Sequence, residues 1–228
     1  MSQVNDTAIL FFSRNLKEEF LAKHAGLNVQ QFSNLFNLLV KKTQRTIDQT
    51  QIPVKALFSD EQIGSSFGER LTNGISNLFS EGFENVIVVG NDAPALTSED
   101  LLWVKNKLEN GKNVLGRDNH GGAYLIGVSK KDFNPSAFLH IDWNTGLVFD
   151  QLKSLLSSEE LERYLIDLNK RSDFQSILKQ GLYLSKTFKQ ILKAIFGTYT
   201  LHTNFDFTLP KSIWFQLTEL RGPPSFVF

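Results

Sequence analysis

The chain reads as an α/β protein, a three-layer Rossmann-like sandwich around a mostly parallel sheet. Three observations predict it. Short apolar runs (Thr7 to Phe12 and Asn85 to Val89) suit strands covered on both faces, and Val54 to Phe58 reads as a further short strand. Longer stretches with apolar residues at three- and four-residue steps alternate with them. Alternation of this length implies crossover connections, which are right-handed, and hence parallel strands.

Taken in order, Thr7-Ala8-Ile9-Leu10-Phe11-Phe12 is the first strand, followed by a polar loop, Ser13-Arg14-Asn15-Leu16-Lys17. From Val29, the positions Phe32, Leu35, Phe36, Leu39, Val40 and Ile47 line one face of a helix. Val54 to Phe58 is the second strand. Ser66 and Glu69 have the spacing of a capping box, and Phe67, Leu71, Ile75, Leu78 and Phe79 give the next helix its core face, stopped by Gly82. Asn85 to Gly90 is the third strand. Thr97 caps a helix with Glu99 and Asp100 in its first turn, where the helix dipole favours them. Asn113 to Gly116 and Ala123 to Val128 are two further strands on either side of a glycine turn. Leu147, Val148, Leu152, Leu155 and Leu156 form the inward face of another helix. Leu161 to Leu168 supplies a short helix or edge strand, and Ser172 with Gln175 caps a helix buried through Phe174, Ile177, Leu178 and Leu182.

The division expected is a main domain over 1–182 and a C-terminal helical and strand extension over 183–228. In the extension, Leu184, Phe188, Ile191, Leu192, Ile195 and Phe196 share one face of a helix, and Tyr199 to His202 and Phe205 to Leu209 alternate like strands. Its Trp214, Phe215 and Phe226 are candidates for a partner surface.

Composition narrows the functions. The 228 residues carry 24 Lys+Arg and 24 Asp+Glu, so the formal charge is zero and a dedicated nucleic-acid binder is not expected. With no cysteine there is no disulfide, thiolate nucleophile or cysteine metal site, which agrees with a cytoplasmic location. No apolar run is long enough to span a membrane, and the polar stretch from Met1 to Asp6 lacks the pattern of a signal peptide. Neither a nucleophile elbow nor a Walker loop nor a dinucleotide glycine fingerprint is present.

Ligands of open α/β sheets sit beyond the carboxyl ends of strands. Asn91 and Asp92 fall at such an end, and a lone carboxylate there suits Mg²⁺ or Mn²⁺. An Asx turn accounts equally for Asn91-Asp92-Ala93-Pro94. Arg14 and Lys17 could meet phosphate, though the loop offers no glycine. Gly121-Gly122 permits a turn or a close approach that side chains would block. His120 is a candidate for metal ligation or a phosphate contact. His140 and Asp142 form a second polar pair before Trp143.

Several of these stretches together resemble a glycosyltransferase-like family of nucleotide-diphospho-sugar transferase (GT-A-like) fold, of the radical-SAM/selenodomain-associated transferase type. Val89 to Thr97 is similar to its Gly-(Ser/Thr)-Asp-x-Pro-x-Leu-Thr motif, and Phe67 to Leu71 to its Leu-Gly-Glu-Arg helix start. Gly116 to Gly127, Ile141 to Thr145, and Leu165 to Leu168 with Asp173 are similar to three further segments. The resemblance covers roughly residues 7 to 180. It implies a transferase that uses a nucleotide-sugar or NTP with a divalent metal at Asp92; on that reading the candidate cofactor contacts in this chain are Arg14, Lys17, Asn91, Gly121 and Gly122, and the catalytic candidates are His120 and Asp142. Three departures accompany it: His120 replaces the aspartate before the glycine pair, Asn169 replaces an aspartate of the closing segment, and the N-terminal loop lacks the family's glycine, threonine and arginine. The alternatives are a non-catalytic member acting as a binding or assembly module, and a nucleotidyltransferase. Homo-oligomerisation is left open.

Overall fold

In the computed structural model, which describes residues 6–23, 26–180, 184 and 186–196, the first strand behaves as its composition demands. All six residues of β1 (Thr7–Phe12) are buried, and they alternate between two cores. Ala8, Leu10 and Phe12 face one, while Ile9 and Phe11 face the other. The remaining strands are β2 (Val54–Leu57), β3 (Asn85–Val89), β4 (Asn113–Arg117), β5 (Ala123–Ser129) and β6 (Ser158–Glu160). They form one sheet in the order β2-β1-β3-β5-β4-β6. β1 is parallel to β2 and β3, and β4 to β6; β5 runs antiparallel between β3 and β4. Because β5 is reversed, its first residues lie at the same edge as the last residues of β1, β3 and β4. That edge carries the site.

Helices cover both faces. α3 (Phe67–Ser80), α5 (Pro135–Leu139) and α6 (Val148–Leu155) contribute Leu71, Ile75, Phe138, Phe149 and Leu152 to one core. α2 (Val29–Asp48) and α4 (Ser98–Glu109) contribute Ile47, Leu101, Val104 and Leu108 to the other. The outer side of α2 makes a third cluster with α7 (Arg171–Gln180) and α8 (Lys186–Phe196), through Phe32, Leu35, Phe174, Ile177, Phe188 and Leu192. The expected capping box of Ser66 with Glu69 is present, and the expected cap Thr97 forms a second one with Asp100. No helix of the described residues is long and apolar enough to cross a membrane.

The sequence reading needs correction in four places. Leu16 and Lys17 are not loop: they open α1 (Leu16–Lys23), whose first turn is capped by the Asn15 carboxamide accepting from Glu18 N at 3.0 Å. Leu161 to Leu168 forms no helix or strand beyond one isolated bridge, Asp118 to Leu165, and the edge strand is Ser158–Glu160 instead. Leu147 is exposed, because α6 begins at Val148. α7 is capped not by Ser172 but by Asp173, whose Oδ2 accepts from Asn169 N at 3.0 Å and Lys170 N at 2.7 Å. Leu182, the strands expected from Tyr199 onward, and Trp214, Phe215 and Phe226 lie outside the described residues.

Candidate functional site

The carboxyl edge of the sheet opens into a cleft of about 700 Å³. Its floor is built by strand ends: Ser13 and Arg14 after β1, Gly90 to Asp92 after β3, Asp118 after β4, and Ala123 at the start of β5. One wall is the start of α3 with Phe67 and Arg70, against which Trp143 packs, and Asn144 to Gly146 continue the lining. Trp143 is held over α3 by Gly68, where a Cβ would come within 2.7 Å of the indole, and its Nε1 donates to Phe138 O at 2.9 Å. The tryptophan thus packs on the core edge while bordering the cleft.

Asn91 and Asp92 occupy the end of the central parallel strand, as expected. Asn91 is 4% exposed and its Nδ2 has no hydrogen-bond partner. Asp92 carries a cation: Lys23 Nζ stands 2.5 Å from Asp92 Oδ2, 2.8 Å from Glu19 Oε1 and 3.1 Å from Asn169 Oδ1. Arg14 Nη1 reaches the other oxygen of Glu19 at 3.2 Å. Asp92 O also accepts from Leu168 N at 3.0 Å, which fastens the strand end to the segment bearing Asp167 and Asn169. Burial and the neighbouring Asp92 charge push the Asp167 carboxyl up to about 7, against the pull of Lys23.

The glycine turn is explained by its own packing. Gly121 has φ +83°, and a Cβ there would sit 2.2 Å from Gly146 O. At Gly122 a Cβ would fall 2.3 Å from Asp118 Oδ2. Asp118 Oδ1 accepts from the backbone N of His120 and Gly122 at 2.7 and 2.8 Å, closing the turn. This fixes His120 at the cleft, with Nε2 3.2 Å from Asp173 Oδ1.

Of the residues singled out in the sequence, Arg14, Asn91, Asp92, His120 and Gly122 line the cleft. Four do not: Lys17 is exposed on α1, Gly121 packs against Gly146 in the turn, His140 is exposed with its Nδ1 2.7 Å from Ser136 O, and Asp142 is bound to Gln151, whose Nε2 donates to its Oδ2 at 2.7 Å. The sequence reading missed Glu19, Lys23 and Arg70. The first two are four residues apart on α1, the spacing that brings a carboxylate and an ammonium together on a helix.

The donors around Asp92 do not fit a divalent ion as they stand. Mg²⁺ requires oxygen ligands at about 2.0–2.1 Å in an octahedral shell, whereas the oxygens of Glu19, Asp92 and Asn169 already surround an ammonium. Among the described residues no group of three or more His, Cys, Asp or Glu side chains could hold a metal ion.

Comparison with known proteins supports the fold. Residues 37–145 match the model of a family described as "Uncharacterized protein conserved in bacteria (DUF2064)". A crystal structure of a protein from Desulfovibrio desulfuricans, proposed to be a nucleotide-diphospho-sugar transferase, superposes with a TM-score of 0.73 at 19% identity, over 83% of this chain and 94% of that one. A mycobacterial homologue of Mycobacterium tuberculosis Rv0371c has a TM-score of 0.48 at 10% identity, over 79% of this chain and 99% of that one. No curated protein matches the chain. The chain therefore has the nucleotide-diphospho-sugar transferase fold.

Proposed function

We propose that the cleft binds the diphosphate of a nucleotide or nucleotide-sugar and that the protein is a glycosyltransferase-like transferase. The observation that carries this is the unsatisfied Asn91 amide on the cleft floor, beside Arg14 and Lys23. A buried donor without an acceptor costs about 1–3 kcal/mol, and a turn of the Asn91 side chain toward the cleft would let a phosphate oxygen supply one. Arg14, with its side chain 39% exposed, is placed to meet the same anion.

In such a transfer an acceptor hydroxyl oxygen bonds to the anomeric carbon as the bond from that carbon to the diphosphate oxygen breaks. The leaving diphosphate keeps the electron pair, and Arg14 stabilises its charge. The hydroxyl proton goes to His120, whose imidazolium the Asp173 carboxylate would stabilise.

A thermal-shift panel of UDP, GDP, CDP, ADP and their sugars tests the binding. The expected result is a rise in Tm with at least one nucleotide, lost in Asn91→Ala and Arg14→Ala. A flat panel sinks the proposal. Release of nucleoside diphosphate from a bound nucleotide-sugar would establish transfer, and pyrophosphate release from an NTP would assign nucleotidyl transfer instead. The second reading, a binding module without turnover, is favoured by the engagement of Asp92 with Lys23; binding with neither product would select it.

A further inference from the structure

We propose that Lys23 is the resident cation of this site: its ammonium holds the place at the end of β3 that a divalent ion would otherwise take, so anions bind in the cleft without metal. The first half stands on geometry alone; the second rests on the nucleotide reading above.

Three features carry the inference. Lys23 Nζ has three protons to donate and three acceptors around it, from α1 (Glu19, 2.8 Å), the β3 end (Asp92, 2.5 Å) and the segment before α7 (Asn169, 3.1 Å). These oxygens converge from separate parts of the fold on one point, as ligands converge on an ion. The salt-bridged groups also balance among themselves without a metal. Arg14 and Lys23 balance Glu19 and Asp92, and Glu19 is shared between the two cations through its two oxygens. Finally, the third acceptor is an amide. Asn169 Oδ1 can accept from an ammonium but brings no charge toward a dication, and its Nδ2 is committed to Asp167 Oδ2 at 2.9 Å.

The cation is also held in place by the fold. Lys23 sits one helical turn after Glu19, so the backbone of α1 presents both groups to Asp92 together. Its side chain is only 14% exposed. For a divalent ion to take the position of the ammonium, Lys23 must leave all three acceptors, and an ion at the other oxygen of Asp92 would lie beside the ammonium and be repelled by it.

The decisive measurement is Mn²⁺ uptake followed by electron paramagnetic resonance, without nucleotide, on the wild type, Asp92→Asn, Lys23→Met and Lys23→Arg. The wild type and Lys23→Arg should show no uptake that depends on Asp92. Removing the ammonium in Lys23→Met should create a site binding Mn²⁺ at least about tenfold more tightly, through the freed carboxylates, and adding Asp92→Asn should abolish it. Wild-type uptake that disappears in Asp92→Asn overturns the proposal, and so does a folded Lys23→Met protein that gains no Mn²⁺ site. If Lys23→Met does not fold, the wild type against Asp92→Asn decides alone.

A second arm measures the thermal shift with UDP and GDP in EDTA and in Mn²⁺. Equal shifts are expected, and a shift seen only with Mn²⁺ overturns metal-independent binding. No shift in either condition removes the nucleotide reading of the cleft and leaves the Mn²⁺ arm to decide the role of Lys23.

Discussion

Two carboxylate–cation pairs in this molecule differ in kind. Asp100 and Arg163 form a closed pair. Arg163 Nη1 lies 2.9 and 2.6 Å from the two oxygens of Asp100, Nη2 donates to Ala95 O at 3.0 Å, and Asp100 Oδ2 also accepts from Thr97 N and Oγ1. Asp92 and Lys23 form an open pair. One oxygen of Asp92 meets the ammonium, its side chain is 24% exposed, and the neighbouring Asn91 amide lacks an acceptor. The first arrangement consumes its hydrogen-bonding capacity to fasten α4 to the segment before Leu165. The second keeps capacity in reserve at the cleft, and that reserve is what marks a site.

The largest difference should appear in stability. Asp100→Ala removes the reciprocal partner of the Thr97 cap and the carboxylate that Arg163 Nη1 binds, with the Asp100 side chain only 10% exposed. Loss of about 2–3 kcal/mol is expected, below the full cost of breaking a buried pair because Arg163 is partly solvated. Asp92→Ala should cost less than about 1 kcal/mol, since Lys23 keeps Glu19 and Asn169. Urea denaturation of both variants measures the contrast, and equal losses would erase the distinction between closed and open pairs.

Next in size is a pH effect confined to the open pair. The Asp167 carboxyl is raised from its ordinary 3.8 to about 7, first by burial and then by Asp92. Its folded-state pKa therefore exceeds the unfolded one, and the folded state binds the extra proton between them. The stability it contributes is complete below about pH 4 and is lost as pH rises toward 7. This component lowers Tm across that window in the wild type, against the opposite slope of carboxyls held low such as Asp132. Asp167→Asn should flatten this component of the slope, and Asp92→Asn should shrink it by removing the second cause. A slope unchanged in both variants would show that the two carboxyls are not coupled.

How much of this was legible in the sequence follows from which signals are local. β1, β3 and the helix faces of α2 and α3 are written in apolar periodicity, and Asp92 at the end of β3 follows from the sheet's geometry. α1 was not legible as a helix because it has no apolar stripe: Leu21 is 72% exposed and the residue it buries is Glu19. That inversion concealed Lys23. The segment from Leu161 to Leu168 misled in the opposite direction. Its leucines look like an element, yet Leu161 and Leu165 fill the core beside α4 while Ile166 and Leu168 turn to the α2 cluster, so the chain crosses between two cores without regular backbone bonding. Residues such as Asn169 and Asp173 reach the site only through such long-range placement.

A smaller effect separates ligand contact from folding at the reserve itself. Asn91→Ala deletes an amide that has no partner for its nitrogen, so the lost packing is offset by removal of an unsatisfied donor. Stability should stay within about 1 kcal/mol of wild type, while nucleotide affinity falls about tenfold, the equivalent of about 1.4 kcal/mol. Calorimetric titration beside urea denaturation reads both. Parallel losses would make Asn91 a structural residue and return the open pair to the same class as Asp100.

The smallest effect tests where the positive edge of the site ends. Arg14 and Lys17 are three residues apart and look equivalent as phosphate ligands in the sequence. The turn into α1 separates them: Asn15 N donates to Ser59 Oγ at 3.1 Å and its carboxamide caps the helix, which leaves Arg14 lining the cleft and Lys17 exposed on α1 outside it. Lys17→Ala should therefore change stability by no more than about 0.5 kcal/mol. Any loss of nucleotide affinity should be a long-range charge effect that vanishes as salt shortens the screening distance to about 8 Å at physiological ionic strength. Arg14→Ala should keep its binding defect at the same salt, because a direct contact inside the cleft is screened far less. If the two variants lose affinity equally and with the same salt dependence, the anion lies over α1 and not on the floor beside Asn91.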